Sequence, residues 1–361
     1  MPYAKMMKET VGVPILCAGR MDNPDMASGA LDDGVCDIIS LGRPLLADPD
    51  YVNKLRTGKT SLIRPCLSCQ EGCMGRIQEY SALNCAVNPQ AARERATRFI
   101  PALQKKYVLV VGGGVAGCEA ARVLTLRGHE VTLCEKSDLL GGNLIPGGVP
   151  SFKEDDHALV RWYVATLAGM NVKVRLKTEV RAGDVKGYDA VILASGSRPK
   201  IFSLGDDAHT YTAADVLEGK KDPGKNTAVI GGGLVGCELA LHLREKGVEV
   251  FIVEALDHIL KLNRPLCHAN AEMLERLIPY KGVKVRTGVT AKSFREGRLA
   301  LSSGETLLVD SVILAVGYTE NRPLYDALAE EANEYYVTGD ALRVANIMYA
   351  IWNAFEIASG I

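Results

Sequence analysis

Two stretches of this chain are one structural unit written twice. In YVLVVGGGVAGCEAARVLTLRGHEVTLCEK, a β-branched run (107–111) leads into Gly112-x-Gly114-x-x-Gly117, then a helical pattern, then a second apolar run ending in Glu135. In NTAVIGGGLVGCELALHLREKGVEVFIVEA, Gly231, Gly233, Gly236 and Glu254 stand at one constant offset from those four residues. Each feature has a physical reason. The first glycine permits a tight strand-to-helix turn, the second lets a pyrophosphate approach the backbone and helix N-terminus, and the third lets helix and strand pack closely. The closing carboxylate is placed to meet a ribose hydroxyl. A lone G-x-G-x-x-G is weak; strand, turn, helix and acid in order, twice over, predict an α/β chain with two dinucleotide sites.

The second constraint is a cluster of thiols. RPCLSCQEGCMGRIQEYSALNC (64–85) holds Cys66, Cys69, Cys73 and Cys85, four of the ten cysteines. Four thiolates in a short loop can hold iron–sulfur or zinc, or form disulfides. The spacing is not two matched C-x2-C knuckles, which makes zinc less natural, and no secretory signal favours disulfides. On spacing alone, iron–sulfur, zinc and neither remain open. The remaining cysteines are expected to be unligated: Cys118 and Cys237 as small buried helix residues, Cys17, Cys36 and Cys134 in strands, and Cys267. The six histidines are scattered without metal spacing, and KEDDH (153–157) reads as a solvated helix start.

Upstream, VPILCAGR (13–20) and CDIISLGRP (36–44) read as buried strands ending in Gly-Arg. Between them lies a helix that starts at Asn23-Pro24 and stops at Gly34. Two βα units in about 60 residues match the repeat of a (β/α)8 barrel, which needs about 250 residues in all. Alone, such a stretch keeps open strand edges and an uncovered apolar face. Gly19-Arg20 and Gly42-Arg43 are turn glycines with solvated arginines on the plain reading. A formal net charge of −1 gives no reason to expect nucleic acid or an anionic membrane as partner. No segment approaches the roughly 20 apolar residues of a membrane span, and the expected location is the cytoplasm.

The order GRPLLADPD, then C-x2-C-x3-C-x11-C, then VVGGGVAG resembles the flavin oxidoreductase family of 2,4-dienoyl-CoA reductase, 2-enoate reductase and trimethylamine dehydrogenase, over nearly the whole chain. The resemblance implies a domain plan. Residues 1–60 would be the last two βα units of a TIM-type FMN barrel, and 61–103 a [4Fe–4S] segment ligated by Cys66, Cys69, Cys73 and Cys85. An FAD domain of Rossmann-like type would follow (104–218 and 318–361), with an NAD(P)H domain nested inside it (219–317). It further implies that Gly19-Arg20 and Gly42-Arg43 grip an FMN phosphate, in a site only partly present here.

Gly141-Gly142-Asn143 resembles the GG motif of FAD-binding reductases. VILASGSRP (191–199, with Gly196) and VILAVGYTENRP (312–323) resemble the crossings between FAD and NAD domains. Gly339-Asp340 in YYVTGDALR falls where such reductases bond the flavin ribityl chain and phosphates; a helix N-cap is the plain alternative for Asp340. Glu254 favours NADH over NADPH, since a carboxylate repels a 2′-phosphate, although Lys261 and Arg264 lie near in sequence. No redox-active cysteine pair lies in the nucleotide segments, which argues against thioredoxin- or glutathione-reductase chemistry.

The implied electron order runs from NADH to FAD, to the cluster, to FMN, ending in reduction of an activated C=C bond of an unsaturated acid or acyl-CoA. No residue here is assigned to the substrate-level step. A stand-alone electron-transfer subunit serving a second chain that carries an FMN barrel is the alternative. An amine dehydrogenase of the trimethylamine dehydrogenase type is a further one, disfavoured by two intact dinucleotide turns. A non-functional gene fragment also stays open.

Overall fold

The computed structural model describes residues 1–261, 267–322 and 324–361; Arg264 and Pro323 therefore lie outside the described residues. At the N-terminus, β1 (Leu16–Ala18) and β2 (Ile38–Ser40) pair in parallel, Leu16 opposite Ile38. The intervening helix Pro24–Asp32 begins where the sequence predicts: the Asn23 side chain accepts the Met26 amide, with Pro24 at the first helical position. Cys17 and Cys36 are buried with Met21 and Ala30 in a small core, but Cys36 lies in the turn ahead of β2 rather than in a strand. Leu16 and Ile38 are about half exposed, at 57% and 49%, so the pair keeps an uncovered apolar face.

The next strands are β3 (Tyr107–Val111), β4 (Glu130–Cys134), β5 (Val172–Arg175), β6 (Ala190–Leu193), β7 (Ser197–Pro199) and β8 (Thr210–Thr212). They are followed by β9 (Asn226–Ile230), β10 (Glu249–Val253), β11 (Lys284–Arg286), β12 (Ala291–Arg295), β13 (Arg298–Leu301) and β14 (Thr306–Leu308). The last are β15 (Ser311–Leu314), β16 (Tyr318–Glu320) and β17 (Glu334–Val337). One parallel sheet has the order β17-β6-β3-β4-β5 and the other β11-β10-β9-β15-β8. Val108 and Val110 of the first, and Ala228 and Val229 of the second, are fully buried. Such near-continuous apolar runs belong to strands covered on both faces.

In both sheets the glycine turn leaves the strand from which the order departs in two directions: β3 between β4 and β6, β9 between β10 and β15. Ligands of open α/β sheets bind outside the carboxyl ends of strands at that switch point. The fold thus places Gly112–Gly117 and Gly231–Gly236 where the repeat predicts. The antiparallel β12-β13-β14 meander caps the second sheet, and β16 pairs antiparallel with β7 where the chain crosses between sheets. By strand pairing, Thr210–Thr212 joins the second sheet through β15. The crossing therefore falls at β7, within the 191–199 stretch that resembles such a crossing, and ahead of 219, where the nested domain is expected to start.

The C-terminal helix Ile347–Gly360 packs along the first-turn helix Val115–Leu126. Ala116, Ala120 and Ala121 meet Ala350, Ala354 and Ala358 in one core, and these small side chains allow close approach. Among the described residues no helix is long and apolar enough to cross a membrane.

Candidate functional site: a cleft between two nucleotide turns

The two glycine turns make the same contacts. Gly112 has φ +108° and Gly231 φ +107°, a region that side chains rarely adopt. A Cβ on Gly112 would strike the Ala194 carbonyl, and one on Gly231 the Ala315 carbonyl. A Cβ on Gly117 would overlap the Gly112 carbonyl oxygen, and one on Gly236 the Gly231 oxygen. Gly114 differs: nothing lies within 4 Å of its Cβ position. Two of the first turn's glycines thus serve packing, and the third faces open space at the N-terminus of its helix. Gly114 and Gly233 are the residues from which the two helices start.

The acids are held alike. Glu135 accepts the Gly113 amide at 2.6 Å and Glu254 the Gly232 amide at 2.6 Å. The second oxygen of each is also taken, by the Ser137 amide and hydroxyl in one case and the Leu256 amide in the other. Both acids are fixed by their own turns and still line the cleft. Glu254→Ala is expected to weaken NADH binding about tenfold, the worth of one charge-assisted hydrogen bond. The flavin would be retained. A Kd for NADH from titration checks this, and unchanged affinity would mean that the acid does not meet the ribose.

A cleft of about 2510 Å³ joins these parts. Its lining takes in Gly112, Gly114, Glu135, Gly142, Asn143, Gly196 and Asp340 from the first sheet and its returning strand, and Gly231, Gly233 and Glu254 from the second. Asn143, Ser197 and Asp340 form a chain: Asn143 Nδ2 donates to Ser197 Oγ at 3.2 Å, and Ser197 Oγ donates to Asp340 at 2.8 Å. Burial raises the Asp340 carboxyl above its usual range, against the Ser197 and Ala345 hydrogen bonds that lower it. Asp340 is not a helix N-cap. That role belongs to Asn346, which accepts the Tyr349 amide. Ser197, one of two serines within the crossing motif, carries no periodic or spacing signal of its own.

KEDDH departs from the solvated reading. Glu154 does open the helix Glu154–Ala168, but Lys153 lies 3.5 Å from Asp156 and 3.3 Å from Glu238 on the second-turn helix. Asp155 takes a bidentate pair from Arg20, at 2.7 and 3.0 Å. Arg20 also donates to Ser68 of the cysteine loop. The guanidinium expected at an FMN phosphate is here tied to Asp155, while Arg43 lines the same cleft. Gly19 has φ +105° with open space at its Cβ position, and Gly42 starts the short helix Arg43–Ala47.

Cys66, Cys69, Cys73 and Cys85 line one small cavity with Arg43, Gln70, Gly72 and Val87. No disulfide joins any of the ten cysteines, and Cys118 and Cys237 are buried as expected. Among the described residues no group of three or more His, Cys, Asp or Glu converges on a single-ion position. Burial pushes the Cys69 thiol up to about 12, and those of Cys66 and Cys85 in the same direction. Such thiols ionise only against strong local positive charge, as a metal centre supplies. The loop is closed around them: a Cβ on Gly72 would strike the Cys85–Ala86 backbone, and Trp352 Nε1 donates to the Cys85 carbonyl at 3.0 Å. Asn270, at the start of helix His268–Tyr280, donates to the Cys69 carbonyl at 2.7 Å.

Residues 106–353 match the family model for pyridine nucleotide-disulphide oxidoreductases, and residues 2–61 match the NADH:flavin oxidoreductase / NADH oxidase family. The chain is 46% identical to a cinnamate reductase of Clostridium sporogenes, over 100% of this chain and 55% of that protein. It is 36% identical to a bilirubin reductase of Mediterraneibacter gnavus, over 99% and 56%. A solved 2-naphthoyl-CoA reductase, in complex with 2-naphthoyl-CoA, superposes with a TM-score of 0.92 at 30% identity, over 99% of this chain and 56% of that one. The chain spans about half the length of the relatives it matches.

Proposed function

This chain belongs to the pyridine nucleotide-disulphide oxidoreductase family, in the type that resembles 2,4-dienoyl-CoA reductase and trimethylamine dehydrogenase, and from that premise we propose that it is the NADH-oxidising part of a flavin and iron–sulfur reductase of activated C=C bonds. The observation that carries this reading is the single cleft onto which both glycine turns, both acids and the edge of the cysteine loop open. Gly112, Gly114, Gly117 and Glu135, with Gly142, Asn143, Gly196, Gly339 and Asp340, hold FAD. Gly231, Gly233, Gly236 and Glu254 hold NADH. The four cysteines hold a [4Fe–4S] cluster, and Gly19-Arg20 with Gly42-Arg43 contribute to an FMN phosphate site once Arg20 exchanges Asp155 for the phosphate. When bound, the flavin supplies hydride acceptance and the cluster one-electron relay.

The chain's own residues orient these groups. Glu254 sets the ribose, and so where the nicotinamide ends. The Asn143–Ser197–Asp340 chain presents polar atoms to the flavin's side chain, and the β7–β16 crossing fixes one turn relative to the other. The substrate class, an unsaturated acid or acyl-CoA, is supported by the cinnamate and 2-naphthoyl-CoA reductases to which the chain is similar. A second reading, an electron-input subunit for a separate FMN barrel protein, is favoured by one observation: the half-exposed Leu16 and Ile38 on paired strands. Cofactor content of the anaerobically purified chain tests the proposal. About four iron and one FAD per chain are expected; zinc in place of iron, or no flavin, would overturn it. Stoichiometric FMN would argue against the second reading.

A further inference from the structure

Behind the cysteine loop lies a charge imbalance that the nucleotide sites do not use. Glu119 is fully buried on the first-turn helix, and its oxygens are taken: Arg122 donates to both, at 2.9 and 2.7 Å, and Tyr163 Oη donates to one at 3.2 Å. Arg64 is the second cation here. Its guanidinium lies over the Trp162 ring, 4.6 Å from the centroid, and donates to the Val87 carbonyl at 3.0 Å. Trp162 is itself fixed by a hydrogen bond from Nε1 to the Leu62 carbonyl at 3.0 Å. Among the described residues no carboxylate stands at ion-pair distance from Arg64. Of the two nearby carboxylates, Glu119 is occupied by Arg122, and Asp48 accepts the Arg64 amide at 2.7 Å while pairing with Lys54 at 2.6 Å, so neither is free to neutralise the Arg64 guanidinium.

The position of Arg64 gives the unpaired charge a destination. It stands two residues before Cys66, and its acceptor Val87 stands two residues after Cys85 and lines the thiol cavity. We infer that Arg64 is the fixed counter-charge of the iron–sulfur centre, a positioning residue that raises the centre's reduction potential and holds the two ends of the cysteine segment together. An iron–sulfur centre on four thiolates is an anion that gains one more negative charge on reduction, and its potential depends on net charge and hydrogen bonding nearby. A preoriented cation stabilises the reduced form more than the oxidised one. Stacking on Trp162 keeps the guanidinium in place without a neutralising carboxylate. Arg43 also lines the cavity, but it borders the large cleft as well, where water screens it. This inference rests on the reading of the four cysteines as cluster ligands.

The test compares the parent chain with Arg64→Gln and Arg64→Lys, each loaded anaerobically. Iron is counted, the one-electron reduction equilibrium is read by a spectroscopic redox titration, and the melting temperature is taken on the iron-free chains. Arg64→Gln is expected to disfavour reduction about tenfold, a shift of about 59 mV to more negative potential for one electron, with Arg64→Lys restoring most of it. Loss of iron in the glutamine variant alone, with iron and potential kept in the lysine variant, also supports the charge. An unmoved potential at full iron overturns the inference. So does a lysine variant that shifts as far as the glutamine one, or loss of iron from both with a matching fall in the iron-free melting temperature. A parent chain without iron overturns the cluster reading, and this inference with it.

Discussion

Gly117→Ala is expected to purify with about a tenth or less of the parent chain's flavin, whereas Gly236→Ala keeps its flavin and loses reduction by NADH. The two positions are equivalent in the repeat, and each would drive a methyl group into the carbonyl oxygen of its own turn, Gly112 in one case and Gly231 in the other. Neither neighbour is the end of a flexible side chain that could swing away. Relief requires the helix to move off the strand, at a cost on the order of the 1–3 kcal/mol of core overpacking or more. Each 1.4 kcal/mol taken from the binding-competent turn is a factor of about ten in affinity. Gly114→Ala separates binding from folding. Its methyl group meets nothing in the chain itself, so the melting temperature should hold while flavin affinity falls, because the methyl occupies the path by which a pyrophosphate reaches the helix N-terminus. Flavin absorbance per chain and anaerobic reduction by NADH read all three variants. Flavin loss from Gly236→Ala with retention in Gly117→Ala would reverse the assignment of the two turns.

What the residues disclose depends on whether a feature is local. The glycine turns are legible because backbone geometry and close packing restrict the residue type at fixed spacing, and the structure repeats those contacts turn for turn. The Asn23 cap and its helix are legible for the same reason. The Lys153 bridge to Glu238 is not, since it exists only because two separate sheets face each other across a cleft. Nor is the pairing of Arg20 with Asp155, 135 residues apart. From sequence, KEDDH carries charge and a helix signal and nothing else, so a solvated face is the default; burial of Asp156 is a tertiary fact. Asp340 is a further case, where a helix cap is the plain alternative. An acid just before a helix suggests a cap, but the turn Gly339–Ala341 places it five residues ahead of the Ala345 amide it accepts, and leaves Asn346 to cap. Nor does the sequence announce that Thr210–Thr212 joins the second sheet, since three residues cannot be told from a loop.

Cys69→Ser separates the two halves of the proposed chemistry. Cys69 shares its cavity with the other three cysteines, so a serine there is expected to cut iron by most of its amount and remove the visible absorbance of the centre. Several contacts tie this loop to the second domain: the Cys69 carbonyl accepts from Asn270, Gln70 donates to Asn270, and Glu71 accepts the Cys267 amide. None uses the Cys69 side chain, so a change there leaves all three in place. The Asn143–Ser197–Asp340 chain and both glycine turns draw nothing from the Cys69 side chain. Substitutions at independent sites act separately, so anaerobic reduction of the bound flavin by NADH should stay within about twofold of the parent, the span of a change under about 0.5 kcal/mol. Onward transfer to a one-electron acceptor that draws from the centre should fall by orders of magnitude. Stopped-flow absorbance follows the first process and acceptor bleaching the second. If both collapse together while flavin content holds, electrons do not enter at the flavin ahead of the cysteine centre. If neither moves after the iron is gone, the four thiols lie off the path.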